Sequence, residues 1–148
     1  MKSIIVFLLI GLSFSYNAND AVSYARKYCK SYNTYYASYS GLDAANFVSQ
    51  CLIAGGQTFD NCVGLDGKGS ISDIANLISC LIQKGWKYKE GFTKKFLPGY
   101  PFFLKNMDAM LATDVSGKNI TFCGHSADRC NRTTSGDQYT YFYLDNSN

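Results

Sequence analysis

Histidine and tryptophan occur once each, and proline twice, in 148 residues. A lone histidine, with no Cys-x-x-Cys pair in the chain, argues against a structural zinc site. Two prolines beside 13 glycines exclude a collagen-like or proline-rich chain. Charge is also sparse. Only 17% of residues are charged, and the net charge of +3 is too small and too scattered to mark a nucleic-acid surface. Against 47% hydrophobic residues, that scarcity excludes disorder and calls for a packed globule. Long apolar runs are missing too. The longest, Ile4 to Phe14, has about 11 residues, where a membrane span needs ~18 or more.

That short run has a use of its own. Behind the basic Met1-Lys2-Ser3 it reads as a secretory signal, with Ser13 and Ser15 as the small residues ahead of a cleavage site after Ser15. The expected organisation is therefore a signal over 1–15 and one domain over 16–148, in a secreted, extracellular protein with no membrane span. The sequons Asn119-Ile120-Thr121 and Asn131-Arg132-Thr133 suit such a route and make Asn119 and Asn131 glycosylation candidates. Six cysteines in an oxidising compartment imply up to three disulfides. Cys29, Cys51, Cys62, Cys80, Cys123 and Cys130 allow about 15 pairings. Cys123 and Cys130 are near enough to staple one loop, and Cys62 could reach Cys51 or Cys80.

The apolar pattern changes partway along the chain. Capping residues over 17–20 precede Ala21, Val22, Ala25, Tyr28 and Cys29, spaced as one helix face. The polar, Tyr-rich stretch 31–41 reads as loop. Asp43 then opens a helix over 44–54, closed by Gly55-Gly56, with Phe47, Val48, Cys51 and Leu52 as its buried stripe. Gly64 to Ser70 lacks the Gly-Lys-Ser/Thr ending of a phosphate loop and reads as a plain loop. Ser70 or Ser72 is expected to cap a third helix through Ile74, Leu77, Ile78, Leu81 and Ile82, stopped by Gly85. Strands follow from Phe96 onward: Pro101 to Leu104, Ala109 to Val115, Ile120 to Cys123 and Tyr139 to Leu144. Helices first and strands after predict an α+β domain, three helices on an antiparallel sheet of about four or more strands. The 12 tyrosines suit half-buried strands and contact surfaces.

Particular strings carry a resemblance. Tyr16-Asn17 with 21–25 (AVSYA), 43–51 (DAANFVSQC), Gly55-Gly56, Gly85-Trp86, 99–104 (GYPFFL), 109–113 (AMLAT) and 123–129 (CGHSADR) together resemble the putative amidase domain family. The most specific part is Asn46-Phe47-Val48-Ser49-Gln50. The resemblance implies a papain-like fold related to the NlpC-like cell-wall peptidases. It also implies a cysteine nucleophile opening the central helix, a histidine base opening a strand, and a polar residue on the next strand to orient that base. The matching positions are Ala44, Asp108 and His125. Two of the three are thus substituted, and Cys51, about two turns along the helix, is too far away to replace the nucleophile.

The expected function is that of a secreted pseudoenzyme whose cleft (Asp43, Asn46, Asp108, His125) binds a peptide or peptidoglycan fragment. The alternative is a building block of an extracellular assembly, acting through a protein partner or self-association. An active hydrolase with a non-standard catalytic set ranks below both. No cofactor or nucleic-acid partner is expected. Asp43 and Asp108 read as a helix cap and a solvated strand end, with a mixed-ligand metal site or paired-carboxylate chemistry as the other readings. An equal reading has His125 holding the 123–130 loop by a backbone hydrogen bond, with Asp128 paired to Arg129. Lys84, Lys87, Lys89, Lys94 and Lys95 read as a solvated face, or else as adhesion to an acidic or glycan surface.

Overall fold

The computed structural model describes residues 15–145. The expected signal over 1–15 lies, except for Ser15, outside them. Asn17, accepting a bond from the Asp20 N–H, caps α1 (Ala18–Tyr28), which buries Ala21, Val22 and Ala25. Helix α2 (Ala44–Ala54) follows the Tyr-rich loop and occupies the predicted residues. Nine of its 11 residues are buried, far more than a single stripe, because α1, α3 and strand β3 pack around it. Helix α3 (Ile74–Gln83) is capped by Asp73, which accepts from the Asn76 N–H. Neither serine expected to cap it does so. Ser70 is held by Asp66 in the preceding loop, where the Asp66 carboxylate accepts its N–H and hydroxyl.

The sheet is antiparallel with order β1-β6-β2-β3-β4-β5, so the architecture is α+β as expected. Its strands are β1 (Lys87–Glu90), β2 (Pro101–Leu104), β3 (Asp108–Ser116), β4 (Asn119–Gly124), β5 (Arg129–Thr134) and β6 (Thr140–Tyr143). Helix α2 lies on β3 and β4, which pair through Leu111 opposite Cys123. The sequence pattern finds four of the six strands. It misses β1 and β5, the two edges. Both are polar and largely exposed, so neither carries the apolar alternation of a half-buried strand.

The core runs between helices and sheet through Phe47, Leu52, Leu81, Phe102, Phe103, Leu111 and Tyr141. Tyr16 fastens the start of the described chain to it. Its hydroxyl donates to the Gly99 carbonyl at 2.6 Å, and its ring meets Trp86 edge-on at 5.2 Å. Gly99 itself, at φ +86°, leaves room for Ala18; a Cβ there would lie 2.6 Å from both the Ala18 Cβ and its carbonyl oxygen.

The cysteines pair as one of the expected options at Cys62–Cys80 and differently elsewhere. Cys29 bonds Cys130, tying the end of α1 to β5 across 101 residues, and Cys62 bonds Cys80 across 18. Cys123 therefore does not close a loop with Cys130. It and Cys51 are buried free thiols, Cys51 on α2 and Cys123 on β4. Proximity in sequence misled because the β4–β5 pairing is irregular at Cys123, between Phe122 opposite Arg132 and Gly124 opposite Arg129, while α1 presents Cys29 to the edge strand.

Candidate functional site

Asp43 holds the N-cap position of α2, yet its side chain makes no capping bond. Its carboxylate turns inward. Oδ1 accepts from the Tyr39 N–H at 3.0 Å and from Asn46 Nδ2 at 2.8 Å, and Oδ2 lies 2.7 Å from His125 Nδ1. The other ring nitrogen, Nε2, lies 2.6 Å from the Tyr28 carbonyl oxygen. A carbonyl only accepts, so Nε2 carries a proton, and a second proton lies between Nδ1 and the carboxylate. The imidazole stacks on Phe47 with centroids 4.0 Å apart and has Tyr32 on its flank at 4.9 Å. His125 and Asp43 are only 3% and 1% exposed.

His125 therefore joins the end of α1, the start of α2 and the residue after β4. It does not hold the 123–130 loop through that loop's own backbone. Nor is Asp43 merely a cap. With both nitrogens committed, the only imidazole in the chain has no lone pair to offer a substrate.

Ala44 borders an open cleft of about 290 Å³. Ala45, Asp73, Leu42, Met107 and Ser126 line it too, so two helix starts, the β2–β3 turn and the segment after β4 meet there. Leu42 and Met107, 80% and 67% exposed, give it apolar lips. Ser72 and Ser126 bring hydroxyls into it, but without a free base a serine is a weak nucleophile. Cys51 does not substitute. It is a free thiol outside both bridges, and its burial, and secondarily the nearby Cys123, push the thiol well above its ordinary pKa, so it stays protonated at neutral pH.

Asp108 opens β3, opposite Leu104. Its Oδ2 lies 2.7 Å from Arg129 Nη2 in a largely buried pair, and Oδ1 accepts from the Ala109 N–H. Arg129 also donates to Ser126 and lies over the Phe122 ring at 5.2 Å. Arg129 thus pairs with Asp108 and not with its sequence neighbour Asp128, and Asp108 is not a solvated strand end. The structure brings Asp43, Asn46 and His125 into one cluster and gives Asp108 a separate partner, so the two carboxylates do not converge. The partners that sequence reasoning missed, Arg129 for Asp108 and the Tyr28 carbonyl for His125, lie 21 and 97 residues away and leave no local signal. Asn119 and Asn131 are both exposed.

The family model for the putative amidase domain matches residues 15–99. No curated protein and no solved structure matches the chain. The matched span covers α1, α2, α3 and β1, while Asp108 and His125 lie beyond it. Because the match takes in more than half of the chain, including the helix that places Ala44 at the cleft, the protein belongs to the putative amidase domain family.

Proposed function

We propose that this family member is an exported pseudoenzyme whose cleft holds a peptide or peptidoglycan fragment without cutting it. Ala44 carries the reading. It opens α2 at the cleft, the position at which the resemblance to papain-like cysteine amidases implies a nucleophile, and a methyl group performs no covalent chemistry. A cysteine there would gain from the helix N-terminus, which lowers thiol pKa. The position of the implied base is held by Asp108, which Arg129 neutralises. His125 is occupied structurally. Loss of the nucleophile alone costs several orders of magnitude in rate. Binding survives such losses more readily, because the apolar lips and the polar groups of Asp73, Ser72 and Ser126 still line the cleft. Two disulfides and the apolar run over 4–14 support export.

The test is a paired assay on a cell-wall peptide, using the unaltered chain and an Ala44→Cys/Asp108→His double variant, with calorimetric titration of muropeptides. The expected result is no turnover by the unaltered chain, binding tighter than ~1 mM, and cleavage by the double variant. Turnover by the unaltered chain overturns the proposal. Absence of both binding and restored cleavage moves the function to the surface, as a structural building block.

A further inference from the structure

A second hollow lies away from the amidase cleft. It has a volume of about 820 Å³ and sits between the segment 91–98 and the β3–β4 turn. Lys89, Lys94, Lys95 and Lys118 line it, and no carboxylate does. Three of these lysines belong to the basic stretch visible in the sequence. The fourth, Lys118, comes from a hairpin turn more than 20 residues further on. Lys89 is directed there by strand alternation: on β1, residues 87 and 89 face one way and residues 88 and 90 the other, where Glu90 accepts from Thr140. Beside the hollow, Asp137 accepts the Phe92 N–H at 3.0 Å, and the Lys95–Asp145 pair, at 3.8 Å, is about half exposed on both sides. That pair offsets little of the charge.

Lysines alone would make a solvated face. Their centre is apolar, however. Phe92, Phe96, Leu97, Pro98 and Val115 line the same hollow, and Leu97 stands 48% exposed among the cations. The floor is fixed before any ligand arrives, since Phe96 is buried and packs edge-on against Phe102 and Tyr141. A hydrocarbon centre ringed by four ammonium groups matches a ligand with an acidic head and an apolar body. A polyanionic sugar would satisfy the lysines and leave Leu97 and Phe92 in water. An acyl layer under a phosphate-bearing surface satisfies both.

We propose that this groove docks the protein on an acidic phospholipid surface. The lysines face the headgroup phosphates, and Leu97 and Phe92 enter the boundary between headgroups and acyl chains. The contact is peripheral: among the described residues no helix is long and apolar enough to cross a membrane.

Vesicle sedimentation with the full, oxidised chain tests the proposal. The vesicles are phosphatidylcholine alone, or phosphatidylcholine with about 30% phosphatidylserine, at about 0.1 M salt. Binding is expected only to the acidic vesicles, and it should be lost near 0.5 M salt as the charges are screened. Each lysine near such a surface contributes roughly 5-fold, so Lys94→Gln/Lys118→Gln should weaken binding by about 30-fold. Leu97→Ser should weaken it by about tenfold at unchanged charge. The control Lys30→Gln/Lys68→Gln removes the same charge outside the groove and should bind as the parent does. All four lysines and Leu97 are exposed, so the variants are expected to fold, which their circular dichroism checks. Equal binding to both vesicles overturns the proposal, as does a control that falls as far as the groove variant. Retention on heparin that is indifferent to Leu97→Ser, with no vesicle binding, overturns it in favour of an acidic polymer.

Discussion

Replacing His125 by alanine separates a structural histidine from a catalytic one. The substitution removes the partner at 2.7 Å from Asp43 Oδ2 and the donor at 2.6 Å from the Tyr28 carbonyl, and it empties the space beside Phe47. Asp43 keeps its bonds from Tyr39 and Asn46 on Oδ1, but its other oxygen is left buried and unpaired. Breaking a buried charge pair from one side costs about 3–5 kcal/mol. That is a large share of the roughly 5–15 kcal/mol that stabilises a typical domain. For a chain of this size it lowers Tm by roughly 10–20 °C.

Urea and thermal unfolding followed by circular dichroism measure the loss. A double-mutant cycle with Asp43→Asn isolates the pair. The expected coupling is at least ~1.5 kcal/mol, because each single variant already forfeits the same bond. A His125→Ala protein that unfolds within ~1 kcal/mol of the parent would refute the clamp and return His125 to the list of available bases.

Other consequences can be measured directly. Denaturing the oxidised protein should release two thiols to Ellman's reagent, those of Cys51 and Cys123, and the native protein almost none; zero thiols would mean a third bridge. Cys29→Ser should cost more stability than Cys62→Ser. The first bridge closes 101 residues and the second 18, worth about 4.7 and 3 kcal/mol in chain entropy, and the reverse order would show that native packing outweighs loop length. Gly99→Ala should destabilise by at least ~2 kcal/mol, read as a shifted urea midpoint, through its positive φ and its collision with Ala18. Burial, with smaller contributions from Tyr139 and Asp137, pushes Tyr141 up to about 12, and burial raises Tyr16 and Tyr24 too. Protons held more tightly in the folded state stabilise it below pH ~10, and this stability is lost as pH rises through about 12. The urea midpoint should therefore fall between pH 10 and 12, and a flat profile there would contradict the buried phenols.

Helix α2 shows how much a sequence can specify. Two glycines behind it and an apolar face ahead of them mark its extent by local chemistry, although the acid in front turns inward instead of capping, and the same residues carry the family resemblance. Strand β2 was equally legible, as Pro-Phe-Phe-Leu with turn residues on both sides. The edge strands were not, since a strand needing burial on neither face leaves no pattern to read. Ala44, which opens α2 at the cleft, was legible as the position at which the resemblance implies a nucleophile.

What His125 does was not legible. Its carboxylate partner is 82 residues away and its carbonyl partner 97, and no spacing rule reaches that far. The disulfides behave alike: an even cysteine count announces cross-links, but only the packing of α1 against the sheet brings Cys29 to Cys130 and leaves Cys51 and Cys123 apart from the bridges. The basic groove follows the same division, with three lysines close in sequence and the fourth brought beside them by the fold. Local chemistry, acting over a few residues, determined where helices begin and end. Which distant groups share a proton, a disulfide or a ligand was decided by the tertiary structure, because those contacts depend on how the elements pack and not on their order along the chain.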